Sequence, residues 1–164
     1  MAVIFLLGPS YGDPDQAADP EHSPMQARRR IAQILGPQHT TLLMEDASDV
    51  QGEDMIQKFD RLLRHRVTDV LVYWPPRAKM QTTFDELILL CDRHKLLKRR
   101  RISTWVLYHA SVASIQRNEF KVLEKGNRSR YLTAVARLGV HPLEWRDEAD
   151  LEKRVSLLSI ELLS

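Results

Sequence analysis

The sequence has little of what stabilises secreted proteins or anchors membrane proteins. Its 164 residues include a single cysteine, Cys91, so an internal disulfide is excluded and a reducing, cytoplasmic environment is expected. No apolar stretch reaches the roughly 18 residues that a membrane-spanning helix needs. The apolar run at residues 3–7 follows no positive charge and ends at Gly8, which indicates a strand and not a signal peptide. With 43% hydrophobic and 28% charged residues, residues 1–164 are expected to form one globular domain.

Motifs that bind phosphates, flavins or metals are also missing. There is no P-loop GxxxxGK[ST] and no dinucleotide-binding GxGxxG after the first strand. A GxSxG nucleophile elbow is absent, and so is the Ser/Thr-Gly-rich loop that flavodoxins use for flavin phosphate. The six histidines form no HExxH, and Cys91 and His94 make a single pair. We therefore expect no catalytic metal and no bound cofactor.

The charge of the chain is almost balanced, with 24 basic and 22 acidic residues and a net charge of +2. Two basic clusters stand out, at residues 28–30 and 98–101. Such a run can bind nucleic acid or a phosphorylated ligand, or it can be the solvated end of a helix. Because no aromatic residues interleave with the clusters as stacking platforms, nucleic acid is not an expected partner.

Apolar runs typical of strands alternate with helical patterns along the chain. Strands are predicted at residues 3–7, 40–44, 67–74, 102–108 and within 132–143, and helices at 24–35, 55–63, 84–91, 114–125 and 150–163. Continuous apolar strands are covered on both faces, so the sheet is expected to be mostly parallel. The pattern predicts a three-layer α/β domain of flavodoxin-like type with a five-stranded sheet. The long polar loop at residues 10–23 would lie where ligands bind in such folds and could close over one.

One segment, residues 40–92, carries an ordered set of polar signals. An acid, Asp46, follows the second strand, a loop containing Asp49 runs to Gly52 before a helix, and Glu86-Leu87 lies on the helix after the third strand. This order is similar to that of the TIR domain. Residues 141–147 also resemble the last strand of that domain and the segment that follows it. The resemblance implies that Glu86 faces a pocket.

The start of the chain departs from the TIR pattern. Residues 4–9 are more similar to the opening of nucleoside 2-deoxyribosyltransferases, which place a catalytic glutamate in a Gly-Thr-x-x-Glu motif after the third strand. Here Thr83 and Glu86 match that motif, Thr82 replaces its glycine, and the acid that precedes the glycine is missing. Active members of both families attack the C1′ carbon of an N-riboside. The two resemblances therefore imply the same residue and the same chemistry.

That chemistry is cleavage of the N-glycosidic bond of NAD or a related nucleotide, by hydrolysis, cyclisation or base exchange. Glu86 would stabilise or trap the oxocarbenium-like sugar as nucleophile, or anchor the ribose hydroxyls. Nicotinamide leaves as a neutral molecule and needs no strong general acid, whereas a deoxyribosyltransferase must protonate its base. The sequence shows no clear second acid, which favours NAD, as substrate and not as cofactor. The candidate substrate-binding residues are Gly8, Ser10, Tyr11, Asp46, Trp74, Arg77 and Thr83.

Each candidate also has an ordinary structural interpretation. Glu86 could be an acid in the first turn of a helix capped by Thr82 or Thr83. Trp74 and Tyr11 could stack on a nicotinamide or adenine ring, or simply pack at strand ends.

The remaining candidates are charged. Arg77 and Lys79 could hold a pyrophosphate or be surface cations, and Asp46 could be a solvated loop acid. A different class of function is a TIR-like interaction module without catalysis. In it, the acidic loop at residues 46–53 would contact a basic face around residues 99–101 on another copy or on a partner protein.

Overall fold

The structure is a computed structural model that describes residues 1–10, 23–76, 81–111 and 139–164. Several predictions concern residues outside these ranges. They are the lid between residues 10 and 23, the helix at 114–125, and the side chains of Tyr11, Arg77 and Lys79.

Five parallel strands form one sheet. The strands are β1 (Val3–Leu7), β2 (Thr40–Leu42), β3 (Asp69–Trp74), β4 (Ser103–His109) and β5 (His141–Trp145), in the order β2-β1-β3-β4-β5. Every neighbouring pair is parallel. This confirms the predicted three-layer, flavodoxin-like α/β fold. Because all strands point the same way, their carboxyl ends lie along one edge of the sheet.

Helices cover both faces of the sheet. The described residues contain α1 (Pro24–Leu35), α2 (Met55–Arg64), α3 (Gln81–Asp92), α4 (His94–Arg100) and α5 (Glu148–Glu161). Helices α1 and α5 pack on one face, and α2, α3 and α4 pack on the other. Strand β3 contributes to both cores, since Val70 and Val72 belong to one apolar cluster and Leu71 and Tyr73 to the other. Within the described residues, no helix is both long and apolar enough to cross a bilayer.

Polar side chains set where several helices begin. The Ser23 hydroxyl accepts a hydrogen bond from the Gln26 backbone at the start of α1, and Pro24 occupies the first turn. At the start of α2, the side chains of Asp54 and Gln57 each accept from the other's backbone N–H. The reciprocal pair fixes the direction in which α2 leaves the carboxyl edge of the sheet.

Some predicted boundaries were wrong. Strand β2 ends at Leu42, so Leu43 and Met44 are buried without being paired in the strand. Met55 and Ile56 were predicted on the buried face of α2 but are 64% and 51% exposed, because they lie in its first turn, before the buried stripe that starts at Lys58 and Phe59. Helix α4 was not predicted as a separate helix.

A buried histidine links the two ends of the described chain. His39, in the turn between α1 and β2, is 3% exposed. Its Nδ1 accepts from the Ala2 backbone N–H at 3.1 Å, and its Nε2 lies 2.8 Å from the Ser159 carbonyl oxygen of α5. These partners require the neutral tautomer with its proton on Nε2. One ring thus connects the residue before β1 to the last helix.

Candidate functional site

The end of β1 is the centre of the candidate site. Gly8 follows β1 with a φ of +154°, a conformation that residues with side chains rarely adopt. A Cβ atom there would lie 3.0 Å from the Tyr73 carbonyl oxygen and 3.1 Å from Cδ of Arg28. The missing side chain therefore lets Arg28 of α1 cross closely over the carboxyl end of the sheet.

Arg28 is a buried cation, with only 1% of its surface exposed. Its Nη1 donates to Glu45 Oε1 at 2.7 Å, and its Nη2 donates to Glu45 Oε2 at 3.2 Å and to the Leu6 carbonyl oxygen at 3.0 Å. The sequence does carry a signal for this burial. Arg28 lies four residues after Pro24 and three before Ile31, on the buried stripe of α1.

The basic cluster at residues 28–30 was predicted to be a solvated helix end or an anion-binding run. Arg28 does not fit the solvated interpretation, because it is buried, whereas Arg29 and Arg30 are about half exposed. Arg28 is buried on Glu45, Arg29 binds Asp46 through two hydrogen bonds of 2.9 and 3.1 Å, and Arg30 binds Glu152 at 2.8 Å. All three guanidinium groups are therefore paired with carboxylates of their own chain.

Glu45 completes this arrangement from the loop after β2. The Ser10 hydroxyl donates to its Oε1 at 2.9 Å. Burial opposes ionisation of Glu45, but the hydrogen bonds and charge of Arg28, helped by Ser10, outweigh that effect and lower the pKa of the carboxyl. Glu45 is therefore ionised at neutral pH. Its position directly after a predicted strand was the available signal, and the sequence interpretation chose its neighbour Asp46 instead.

Glu86 lies on α3, at its sixth residue. Helix α3 begins at Gln81, so Thr82 and Thr83 are inside the helix and do not cap it. The interpretation of Glu86 as a first-turn acid is therefore wrong, because the influence of the helix dipole falls off within the first turn. The dipole does not account for a carboxyl at this position.

The surroundings of Glu86 disfavour its charge. Its side chain is half-buried and forms no hydrogen bond or ion pair with any residue that the structure describes. Burial raises the pKa of Glu86 to about 8, the charge of Arg28 partly offsets this rise, and the charges of Glu45 and Asp85 add to it. In the ligand-free protein the carboxyl is thus mostly protonated at pH 7.

The other predicted site residues have varied surroundings. Trp74, at the end of β3, is half-buried against the cluster that contains Val72. Thr83 is fully buried, and its hydroxyl has no hydrogen-bond partner within the described ranges. Asp46 is paired with Arg29 in an ion pair whose side chains are about half exposed. At the end of β1 the sequence had identified Gly8 and Ser10, and the structure adds Arg28 and Glu45.

A cavity of about 360 Å³ lies at the far end of the sheet, after β5. Its lining residues are Glu144, Arg146, Asp147, Asp150 and Arg154. Asp147 caps α5, and Asp150 accepts from the Arg146 backbone N–H and pairs with Arg154. These groups stabilise the start of α5. Among the residues that the structure describes, no three His, Cys, Asp or Glu side chains are grouped as metal ligands would be.

The acidic loop at residues 46–53 is largely neutralised by its own chain. Asp46 binds Arg29, Asp49 binds Lys58 at 2.7 Å, and Glu53 binds Arg61 at 2.9 Å. In contrast, the exposed cations at 98, 99 and 101 form no ion pair with a described residue. A contact between this loop and a basic face would have to exchange existing ion pairs for new ones.

No model of a known protein family matches the chain, and no curated protein matches it at a significant level.

Proposed function

We propose that this chain cleaves the N-glycosidic bond of NAD or a related nucleotide, with Glu86 as the carboxylate that acts on the sugar. The observation that carries the proposal is the half-buried Glu86 carboxyl, which has no ion pair among the described residues. It follows a parallel strand, on the side of the fold where ligands of such sheets bind. Surface helix acids are normally solvated or paired, and a carboxyl with a strongly perturbed pKa is a candidate functional group. The resemblance to TIR domains and deoxyribosyltransferases points to the same residue.

The reaction follows from the chemistry of a pyridinium N-riboside. The C1′–N bond breaks with its electron pair passing to the ring nitrogen, which gives neutral nicotinamide and an oxocarbenium-like sugar. Ionised Glu86 would stabilise this cation until water adds to C1′ and loses a proton. Alternatively it would trap the cation as an ester, whose C1′–O bond then breaks with its electron pair returning to the carboxylate as water adds to C1′ and loses a proton. The positive charge of the bound substrate also favours ionisation of the Glu86 carboxyl. The interaction therefore strengthens as positive charge develops on the sugar, as catalysis requires.

A nucleoside 2-deoxyribosyltransferase-like activity is the second candidate. Its leaving base must be protonated, and Glu86, whose pKa is raised to about 8, carries a proton at neutral pH. A second acid is still needed, because Glu86 must be ionised when it acts on the sugar. Both candidates use the same carboxyl and differ in the leaving group. A non-enzymatic TIR-like interaction module would instead use the loop at residues 46–53, whose acids are already paired.

The test is incubation of the purified protein with NAD, and separately with a deoxynucleoside plus a second free base, followed by chromatography of the products. We expect nicotinamide release from NAD, reduced at least about 100-fold in Glu86→Gln. Asp92→Asn, at the exposed end of the same helix, is the matched control and should retain the activity. Base exchange between deoxynucleosides would support the second candidate instead.

Two outcomes would overturn the proposal. Turnover that is equal in wild type and Glu86→Gln removes Glu86 from the mechanism. If the protein neither turns over nor binds either substrate, as measured by calorimetry, the enzyme proposal fails and the interaction module is favoured.

A further inference from the structure

Two basic segments meet at the amino edge of the sheet, opposite the edge that carries the candidate site. Residues 64–66 precede β3 and residues 98–101 precede β4, and the first residues of these neighbouring parallel strands are paired with each other. A side chain joins the two segments, because Nη1 of Arg100 donates to the carbonyl oxygens of Leu63 and Arg64 at 3.3 and 2.8 Å. The ends of α2 and α4 therefore form one continuous surface.

Most cations of this surface have no partner. Five of their side chains are exposed and form no hydrogen bond or ion pair with any residue that the structure describes. These five make up what we call the amino-edge basic surface: Arg64, Arg66, Lys98, Arg99 and Arg101. Elsewhere in the described ranges the arginines bind carboxylates, with Arg146 as the exception; the paired ones are Arg28, Arg29, Arg30, Arg61, Arg93 and Arg154. Unpaired positive charge is thus concentrated at this edge.

The carboxyl ends of α2 and α4 explain only a small part of this charge. The dipole places at most about half a negative charge at each helix end, so the two ends together balance about one cation. Arg100 already supplies that cation, because it binds the last carbonyl oxygens of α2 directly. The five cations of the amino-edge basic surface remain in excess.

Two of the five cations also have an unfavourable backbone conformation. Arg66 and Arg101 have φ values of +59° and +54°, and within the described ranges they are the only residues other than glycine with a positive φ. Glycine adopts this conformation more readily and commonly follows the end of a helix, the position that Arg101 occupies after α4. The backbone would favour glycine at both positions, and the arginines instead add charge to the surface.

The chemistry of the surface suits phosphate groups more than a protein or a bilayer. Four of the five cations are arginines, whose planar guanidinium can bind two phosphate oxygens at once. Stable protein interfaces depend on a buried apolar centre, and lasting membrane binding needs an apolar anchor besides basic residues. The surface offers neither, since Leu97, the neighbouring apolar side chain, is buried.

We propose that the amino-edge basic surface binds the phosphate backbone of a nucleic acid duplex, without reading its base sequence. Neither segment contains Phe, Tyr or Trp, which disfavours stacking on single strands, whereas a duplex backbone is bound by cations alone. Strand β3 has six residues, so the surface lies about 20 Å from the carboxyl edge of the sheet. The inference is therefore independent of the proposed function.

Fluorescence anisotropy with short labelled DNA duplexes of two unrelated sequences measures the binding. Five phosphate contacts predict a slope of about −4.5 for log K against log salt, which is about a 500-fold loss of affinity between 50 and 200 mM KCl. We expect the two sequences to bind equally. RNA duplexes of the same sequences show whether DNA or RNA is preferred, and binding of either with this slope supports the proposal.

Arg66→Gly combined with Arg101→Gly removes two charges and relieves the left-handed conformation at both positions, so the fold should be retained. We expect the slope to weaken to about −2.7, and the urea denaturation midpoint not to fall. A second double variant, Lys98→Gln with Arg99→Gln, should give the same slope without a change of backbone conformation.

Lys153→Gln combined with Arg154→Gln is the matched control, because it removes two exposed cations of α5 and changes the net charge equally. It should keep the wild-type slope. An equal loss in this control would show that net charge, and not this surface, causes the binding, and would overturn the proposal. The proposal also fails if neither duplex binds at 50 mM KCl, if anionic lipid vesicles bind and the duplexes do not, if one sequence binds more tightly than the other, or if both double variants of the surface keep the wild-type slope.

Discussion

At the scale of single residues, Glu86 and Glu45 show how the same side chain acquires opposite properties. Glu45 has an arginine and a serine hydroxyl as partners, which lower its pKa despite burial. Glu86 has no such partner among the described residues, and burial raises its pKa to about 8. Two carboxyls that share the influence of one guanidinium are therefore in different protonation states at neutral pH.

This difference predicts how the stability of the protein depends on pH. Unfolding returns Glu86 from a pKa of about 8 towards its ordinary value of 4.5, so the folded protein binds more protons between these values. The free energy of unfolding therefore falls as the pH rises from about 4.5 through about 8. Glu86→Gln stays neutral and should lack this decline, which amounts to about 1.4 kcal/mol for each unit of pKa displacement.

Urea denaturation at pH 5, 7 and 9 measures this effect. We expect Glu86→Gln to match wild type at pH 5 and to be the more stable protein at pH 9. Asp92→Asn should follow the wild-type dependence. If the free energy of unfolding changes with pH in the same way for wild type and Glu86→Gln, ionisation of Glu86 does not destabilise the folded protein.

Gly8 gives a second prediction at this scale. Gly8→Ala places a methyl group 3.0 Å from the Tyr73 carbonyl oxygen and 3.1 Å from Cδ of Arg28, at a φ that favours glycine. We expect a loss of about 1–3 kcal/mol in the free energy of unfolding, from backbone strain and crowding together. Gly52→Ala separates the two contributions, since Gly52 has a φ of +81° and nothing within 4 Å of the added atom. Equal losses in the two variants would mean that crowding at Gly8 is negligible.

At the scale of secondary structure elements, His39 connects a strand, a turn and a helix. His39→Ala leaves the Ala2 backbone N–H and the Ser159 carbonyl oxygen without their partner in the interior. Each unsatisfied buried group costs about 1–3 kcal/mol, so we expect a loss of at least about 2 kcal/mol. His65→Ala, at the exposed end of α2, is the control and should change the stability by less than about 0.5 kcal/mol. Similar denaturation midpoints for both variants would contradict the structural role of His39.

Apolar patterns predicted these elements where the elements are buried on both faces. Strand β3 was predicted within two residues at its start and correctly at its end, because Val70, Leu71 and Val72 are fully buried. The same rule overextended β2, since Leu43 and Met44 are buried by packing after strand pairing has ended. Burial is readable from a local pattern, whereas hydrogen-bond pairing depends on a distant partner.

The candidate site was predictable only in part, for the same reason. Glu86 was proposed from a local motif, and Gly8 and Ser10 from their position after the first strand. Arg28 stands in a run of three arginines that is typical of a solvated surface, and its partner Glu45 is 17 residues away. No local pattern indicates that a charged residue on an apolar stripe will meet a carboxylate from the next strand.

At the scale of the whole molecule, the sheet couples two apolar cores. Leu71 of β3 lies in the core under α1 and α5, and its neighbour Val72 lies in the core under α2, α3 and α4. Damage to either core should therefore destabilise both. We expect Leu71→Ala to lower the free energy of unfolding by about 3 kcal/mol and the protein to retain one cooperative transition.

Far-UV circular dichroism and tryptophan fluorescence are the two probes. The fluorescence is measured in a Trp74→Phe background, because Trp74 packs on the other core, whereas Trp105 and Trp145 belong to the core under α1 and α5. They should give the same midpoint for Leu71→Ala. Ile88→Ala, at a side chain that is 43% exposed on α3, is the control and should cost less than about 1 kcal/mol. Separate midpoints for the two probes would mean that the cores unfold independently.

The order of the elements along the chain has a consequence for synthesis on the ribosome. Ser10, Arg28, Glu45 and Glu86 all leave the ribosome before β4 and β5, and the strands that support them, β1, β2 and β3, are adjacent in the sheet. Helix α5, which packs on α1, leaves last among the described elements. The nascent chain therefore contains these site residues well before it contains α5, the helix that packs on α1 and so on the helix of Arg28. Until that helix docks, α1 depends on its contacts with the growing sheet and on its ion pairs with the loop after β2, Arg28 with Glu45 and Arg29 with Asp46.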